Sequence, residues 1–428
     1  MRLSRRALGP LAAALAIAFS LGATAGQFDG VTITHFTQGG AIDRIAGYKE
    51  LAEEFKAQTG AAVQFVEQPW EQMQTAIIND AIGGTGNYDV VDLDSGWDAN
   101  VAGYLEPLDA RIKSANFDVS DYQGLNALIA TADGVRHGIP LTSRSMVMFY
   151  REDLLDAAGI AVPKTWEELN AAAKSLTGNG TYGYVGAGVA VQLMKMFFGA
   201  YMGDEKRSLF TADGKPTFDS PEGARAIERL KELFSYAPPG VFAMDIPEAD
   251  QVFLNGEAAF TIEWPDYIQP SLNDPERSKI VGKWAATVPP GPGNAGPWYI
   301  GLSSASKNKD AAWAWLSFIT SPAAAKMLMI DHGIYATRNS VLLDKDVEAK
   351  FPGMQAAVDS YKASFYPSFI ASPTWLDWFL GSADIFSAAL SGQVAPADAA
   401  KQSADLWNKV FDITKGPKGY NWADIFAQ

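Results

Sequence analysis

From Val31 to Phe36 apolar and polar side chains alternate with the two-residue period of a strand. From Ile42 to Gln58 the period becomes that of a helix, stopped by Gly60. Val63 to Val66 predicts a second strand, Trp70 to Ile82 a second helix, Gly83 to Asn87 a glycine-rich turn, and Tyr88 to Leu93 a third strand. This strand-helix alternation predicts a parallel sheet with helices on its faces. Ligands of such sheets bind beyond the carboxyl ends of the strands. Three stretches therefore share one rim: Thr37-Gln38-Gly39-Gly40, Gln68-Pro69-Trp70 and Asp92-Leu93-Asp94-Ser95-Gly96-Trp97.

A second α/β region follows. Gly138-Ile139-Pro140 breaks regular structure, and the short apolar run Met146 to Tyr150 fits a buried strand. A short helix closed by Gly159 comes next, then Pro163 and Thr165-Trp166-Glu167-Glu168, with Thr165 and Glu168 at capping-box spacing ahead of an Ala-rich helix. Ser220-Pro221 opens a helix with an Ile227, Leu230, Phe234 face, and Asn255-Gly256 precedes a strand from Ala258 to Glu263. Val288 to Gly293 is a proline-glycine breaker cluster, Trp298 to Leu302 reads as a strand, and Ser306 to Ile319 as a helix stopped before Pro322. No internal repeat appears.

Composition changes the picture at the amino end. Arg2, Arg5 and Arg6 form a basic head, Leu8 to Leu21 is apolar, and Ala23-Thr24-Ala25 has the small-x-small form of a cleavage site, so residues 1–25 read as a secretory signal. The apolar run is shorter than the roughly 20 residues of a membrane-spanning helix. Both general secretion and twin-arginine export remain open. Removal of the signal leaves 403 residues, enough for two cores. With no cysteine the chain has neither disulfides nor a lipidated anchor, which points to a free periplasmic protein. The net charge is −15, near −18 without the signal, and no basic stripe offers a nucleic-acid surface.

Four segments carry a resemblance. They are the string from GIPL at 138 through FYREDLLDAAGI to PKTWEEL ending at 169, NGEAAFTIEWP (255–265), GPWYIGLSSASKNKDAAWAWLSFITSPAAA (296–325) and GIYATRNSVLLD (333–344). Together they resemble the family 1 extracellular solute-binding proteins, the maltose-binding-protein-like receptors that feed ABC importers. The resemblance implies an α/β, two-lobed periplasmic binding protein fold with a hinge of three crossings and a ligand cleft between the lobes. It places the N-lobe at 26–142 and 289–322 and the C-lobe at 143–288 and 323–428. It further implies an ABC permease as partner, a small-molecule ligand and no cofactor; the expected state is a monomer.

Twelve tryptophans are the main chemical clue. A sugar offers a C–H face to an aromatic plane, while its hydroxyls need polar partners once buried. Covering one ring face yields only about 1–2 kcal/mol at ~25 cal/mol per Å2. Micromolar affinity, about −8 kcal/mol, therefore needs several aromatics plus hydrogen bonds. Trp166, Trp313, Trp315 and Trp407 lie at or in helices and are assigned to the core. Trp70, Trp97, Trp264, Trp298 and Trp375 lie at strand ends or turns and are the ligand candidates, with Tyr299 beside Trp298 in the matched motif. Asp94 can accept from two hydroxyls, and Gln38 shares its rim. Arg144, just after the first crossing, and Arg338, in the matched late turn, can fork to adjacent oxygens.

Other chemistries fail their context. Gly291 to Gly296 spells GxGxxG but is proline-laden and leads into a strand. Asp92, Asp94 and Asp98 have the wrong spacing for a calcium loop, with glycine at 103. His35, His137 and His332 are far apart in sequence, and neither HExxH nor GxSxG occurs, so no metal or catalytic set is assigned. The expected activity is binding of a sugar, oligosaccharide or sugar alcohol. Two alternatives stand beside it: a receptor for a phosphorylated or sulfonated sugar, and a secreted carbohydrate-active enzyme.

Overall fold

The computed structural model describes residues 26–39, 44–94, 97–123, 135–142, 145–203, 208–291, 293, 295–364 and 374–411. Two sheets organise them. The first has the order β2-β1-β3-β9-β4, built from β1 (Thr32–Gln38), β2 (Ala62–Gln68), β3 (Val90–Asp94), β4 (Ile139–Thr142) and β9 (Trp298–Leu302). The second has the order β6-β7-β5-β8, from β5 (Val147–Arg151), β6 (Tyr182–Val185), β7 (Ala258–Glu263) and β8 (Trp284–Thr287). The parallel pairing predicted for the first three strands is present, β1 lying parallel to both β2 and β3. β9 enters antiparallel between β3 and β4, because the chain returns to this sheet from the second one.

Apolar period and caps place the helices. Ile45–Thr59 ends at left-handed Gly60, and Trp70–Gly83 follows Pro69. The capping box forms as spaced: the Glu168 amide donates to Thr165 Oγ1, and the Thr165 amide to Glu168 Oε2, each at 3.2 Å. Ser220 caps Pro221–Phe234, which buries Ile227, Leu230 and Phe234. The helix expected from Ser306 begins instead at Lys309, because the Ser306 hydroxyl is bonded to Asp89 at 2.6 Å.

Each sheet is covered on both faces. Tyr48, Leu51 and Phe55 of Ile45–Thr59, with Trp315 and Phe318 of Lys309–Ile319, pack over Ile33, Val90, Ile300 and Leu302. Met73 and Ile77 cover Phe36, Val91 and Leu93 on the other face. In the second sheet Met148, Tyr150, Phe260 and Ile262 meet a helical layer that includes Trp166, Phe197, Leu230, Trp378 and Trp407, while Val147, Phe149 and Val185 meet Phe253 and Ile268. Burying one such side chain is worth about 1.5–3 kcal/mol. The breaker cluster has a steric reason: Gly291, at φ +82°, crosses so close to Gly203 that a Cβ on either would lie 2.5 Å from the other's Cα. No helix among the described residues is long and apolar enough to cross a membrane.

Candidate functional site

The carboxyl ends of β1, β2 and β3 form a rim, with Gln38 paired to Gln68 and Asp94 opposite Trp298. Pro69 turns the chain so that Trp70 opens its helix and its indole N–H reaches Asp94 Oδ2 at 2.9 Å. Trp70 and Trp97 have ring centroids 6.0 Å apart, and Trp97 and Trp298 are also 6.0 Å apart, edge to face. Three tryptophans and Asp94 are thus gathered at one edge from separate segments. Gln38 is half-buried on the same rim.

Beneath that edge lies a polar network. An indole N–H only donates, so the 3.2 Å bond from Trp315 Nε1 to His35 Nδ1 puts the imidazole proton on Nε2, which donates to Asp92 Oδ1 at 2.9 Å. Thr37 Oγ1 donates to Asp92 Oδ2 at 2.5 Å. His35 is uncharged in this tautomer, so the cation facing Asp92 is Arg44, whose Nη1 stands 4.0 Å from Oδ2. The guanidinium also lies over the Trp298 ring, 4.6 Å from its centroid. His35 stacks on Tyr48, whose phenol is pushed well above its ordinary range by burial and by Asp92, with Arg44 opposing. All of these groups are buried.

The second sheet contributes Trp264. β7 delivers it directly after Glu263, and Pro265 starts the next helix at once. Its ring reaches the chain returning to β9: a Cβ on Gly296, two residues before Trp298, would sit 3.3 Å from Trp264 Cη2. Lys195 Nζ lies 5.4 Å from the Trp264 centroid, and Lys195 also lines a small crevice with Ile262, Pro289 and Gly291. Behind Trp264 are three buried acids, Asp250, Glu263 and Asp266. Burial, with Asp266 and Asp245 adding to it, pushes the Glu263 carboxyl up to about 8, against the Trp264 amide bonded to Oε1 at 2.7 Å and the charge of Lys195. Burial first, then Glu263 and Asp266, likewise pushes Asp250 well above the usual carboxylate range. Neither Arg44 nor this acid cluster was singled out from the sequence. A signal existed in both: Asp92 interrupts an apolar strand, and Glu263 and Asp266 flank Trp264-Pro265.

Comparison with known proteins decides the family. The model of the bacterial extracellular solute-binding protein family matches residues 39–326. The chain belongs to this family. Its members are binding proteins. A relative described as a probable amino-acid ABC transporter periplasmic-binding protein, from Sinorhizobium fredii, is 28% identical over 320 residues, covering 72% of this chain and 73% of the relative. A solved ABC transporter solute-binding protein from Agrobacterium radiobacter K84, in complex with ribitol, is 28% identical with a TM-score of 0.76, covering 90% of this chain and 100% of that one. The maltose-bound MalE3 of T. maritima is 25% identical with a TM-score of 0.79, covering 89% and 100%. The two-lobed α/β fold expected from the sequence is the fold of these solute-binding structures.

Within that fold some candidates take other roles. Tyr299 is fully buried: alternation along β9 sets it opposite Leu93, packed with Phe36 and Val91 in the cluster that also holds Trp298, on the face away from Asp92. Arg338 is buried, with its guanidinium held inside the protein. Its Nε donates to the Thr320 carbonyl at 2.8 Å and its Nη2 to Tyr122 Oη at 2.6 Å, and it stacks on the Tyr122 ring at 4.0 Å. Arg338→Ala is therefore expected to cost about 2–4 kcal/mol of stability, since the Tyr122 and Thr320 oxygens lose a charged donor. Chemical denaturation checks this. Trp375 is buried on Phe379, with centroids 5.2 Å apart, in the second core. Arg144 lies outside the described residues.

Proposed function

We propose that this protein is the periplasmic substrate-binding component of an ABC importer for a neutral sugar or polyol. The observation that carries the reading is Trp264 of the second sheet meeting, at Gly296, the segment that leads into Trp298 of the first, so that aromatic side chains from both sheets converge. Ribitol and maltose, the ligands of the two solved relatives, are neutral and rich in hydroxyls, and they suit aromatic faces flanked by Asp94 and Gln38. An anionic sugar derivative is not favoured by these relatives. A ligand that touches both walls only when they approach shifts an open–closed equilibrium, so no covalent step is required. On this reading a membrane permease takes the closed form, the protein acts as a monomer, and residues 1–25 are the export signal.

The lobes follow the two sheets. We place the first at 26–142 and from 289 onward. Its end, expected at 322, is moved past the helix Pro322–His332, which puts Ala324 and Leu328 into the first core.

A thermal-shift panel of ribitol, maltose, other polyols and, because of the Sinorhizobium fredii relative, amino acids tests the function. A ligand at 100 times its dissociation constant adds about 2.7 kcal/mol. A response confined to amino acids refutes the sugar reading, and chemical change of a bound sugar refutes the binding reading. Trp264→Ala and Trp298→Ala are each expected to weaken binding at least tenfold, about 1.4 kcal/mol, with the unliganded melting temperature recorded alongside.

A further inference from the structure

At the edge where β3 ends and β9 begins, several buried polar atoms have no hydrogen-bond partner among the described residues. These are both Nη atoms of Arg44, Nε1 of Trp298, Oγ1 of Thr142 and the hydroxyl of Tyr48. They belong together by position. Arg44 comes in from the carboxyl end of β1, Trp298 opposes Asp94 at the end of β3, and Thr142 is the last residue of β4, paired with Trp298. Tyr48 sits one helical turn from Arg44. Folded proteins leave few such atoms unpaired, because each costs about 1–3 kcal/mol.

The contacts of Arg44 explain its charge but not its donors. Asp92 at 4.0 Å matches the charge, and the Trp298 ring at 4.6 Å supports the guanidinium plane. Four Nη–H donors and the Trp298 indole N–H are left over. Thr142 and Tyr48 can each donate as well. A set so dominated by donors calls for acceptors, and with the charge already balanced it calls for no net negative charge. A planar fork spans two adjacent oxygens.

Resting on the sugar or polyol reading, we propose that Arg44, with Trp298 and Thr142, is the specificity-determining donor set of the first lobe, receiving two adjacent hydroxyl oxygens of the ligand. Asp94 and Trp264 then serve the remainder of the ligand. Arg44 sets which hydroxyl pair is required.

The test uses whichever of ribitol and maltose stabilises the wild-type protein, together with its monodeoxy analogues. Each is titrated calorimetrically into the wild type, Arg44→Lys and Arg44→Gln. Lysine keeps a cation facing Asp92 but has no fork; glutamine keeps donors but no charge. In the wild type, removing one oxygen of the engaged pair is expected to weaken binding roughly a hundredfold or more, because buried donors are then left unmet. In Arg44→Lys the parent ligand binds at least tenfold more weakly, and the same deletion costs less than tenfold. A merely structural role would lower affinity for every analogue by the same factor, and that result overturns the proposal. Should Arg44→Lys fail to fold, the same comparison in Arg44→Gln decides. A wild type that neither sugar nor polyol stabilises overturns the functional reading, and this inference falls with it. Binding with an unchanged deoxy penalty in the variants overturns this inference alone.

Discussion

Asp92→Asn is expected to destabilise the protein by about 3–5 kcal/mol, because it leaves the buried Arg44 cation without its counter-charge. The replacement is nearly isosteric, so cavity formation contributes little. What changes is electrostatic. Asp92 accepts from His35 and Thr37 and faces Arg44, and none of the three is exposed to water that could substitute. An asparagine keeps one acceptor oxygen and presents an NH2 where Thr37 or His35 now donates. His35 cannot answer by changing tautomer without losing the Trp315 donor to Nδ1. The lesion therefore spreads from β3 to the helix Lys309–Ile319, which holds Trp315. Guanidinium denaturation or a melting curve reads it, with a fall of roughly 6–20 °C at the usual 2–4 °C per kcal/mol for domains of this size. A change below 1 kcal/mol would show that Arg44 is balanced by something other than Asp92. Asp92→Asn with Arg44→Met is the informative partner, since removing both charges is expected to restore much of the loss.

The same cluster marks the limit of what the sequence discloses. Ala258–Glu263 and Trp298–Leu302 were legible to the residue, because short apolar runs between turn residues admit few readings. The Thr165 and Ser220 caps were legible because capping is local. Long-range side-chain partners were not. His35 meets Asp92 across 57 residues and Trp315 across 280, and no local pattern encodes that meeting. Trp298 and Tyr299 are neighbours in one matched motif and share one buried cluster, and only the pairing with β3 reveals that Trp298 opposes Asp94 while Tyr299 opposes Leu93. Arg338 carries a guanidinium suited to a ligand and spends it on Thr320 and Tyr122. Trp264 was legible as a rim residue, whereas its contact with Gly296 needed both sheets in place.

The second large effect concerns Glu263, and its sign follows from a raised pKa. The carboxyl titrates near 8 in the folded protein against an ordinary 4.5, chiefly because burial disfavours its charged form. A group raised in this way contributes its stability in full below pH 4.5 and loses it as pH climbs through about 8. Each unit is worth about 1.4 kcal/mol, so the loss between those limits amounts to a few kcal/mol. Asp250, also raised by burial and by Glu263, loses stability in the same direction. Glu263→Gln removes one contributor at every pH while keeping an oxygen to accept from the Trp264 amide. The expected outcome is a pair of melting curves that diverge with pH: close together at pH 5, with the glutamine protein the more stable at pH 9. Parallel stability profiles across pH 5 to 9 would mean that Glu263 stays charged in the folded state, with Lys195 close enough to hold it so.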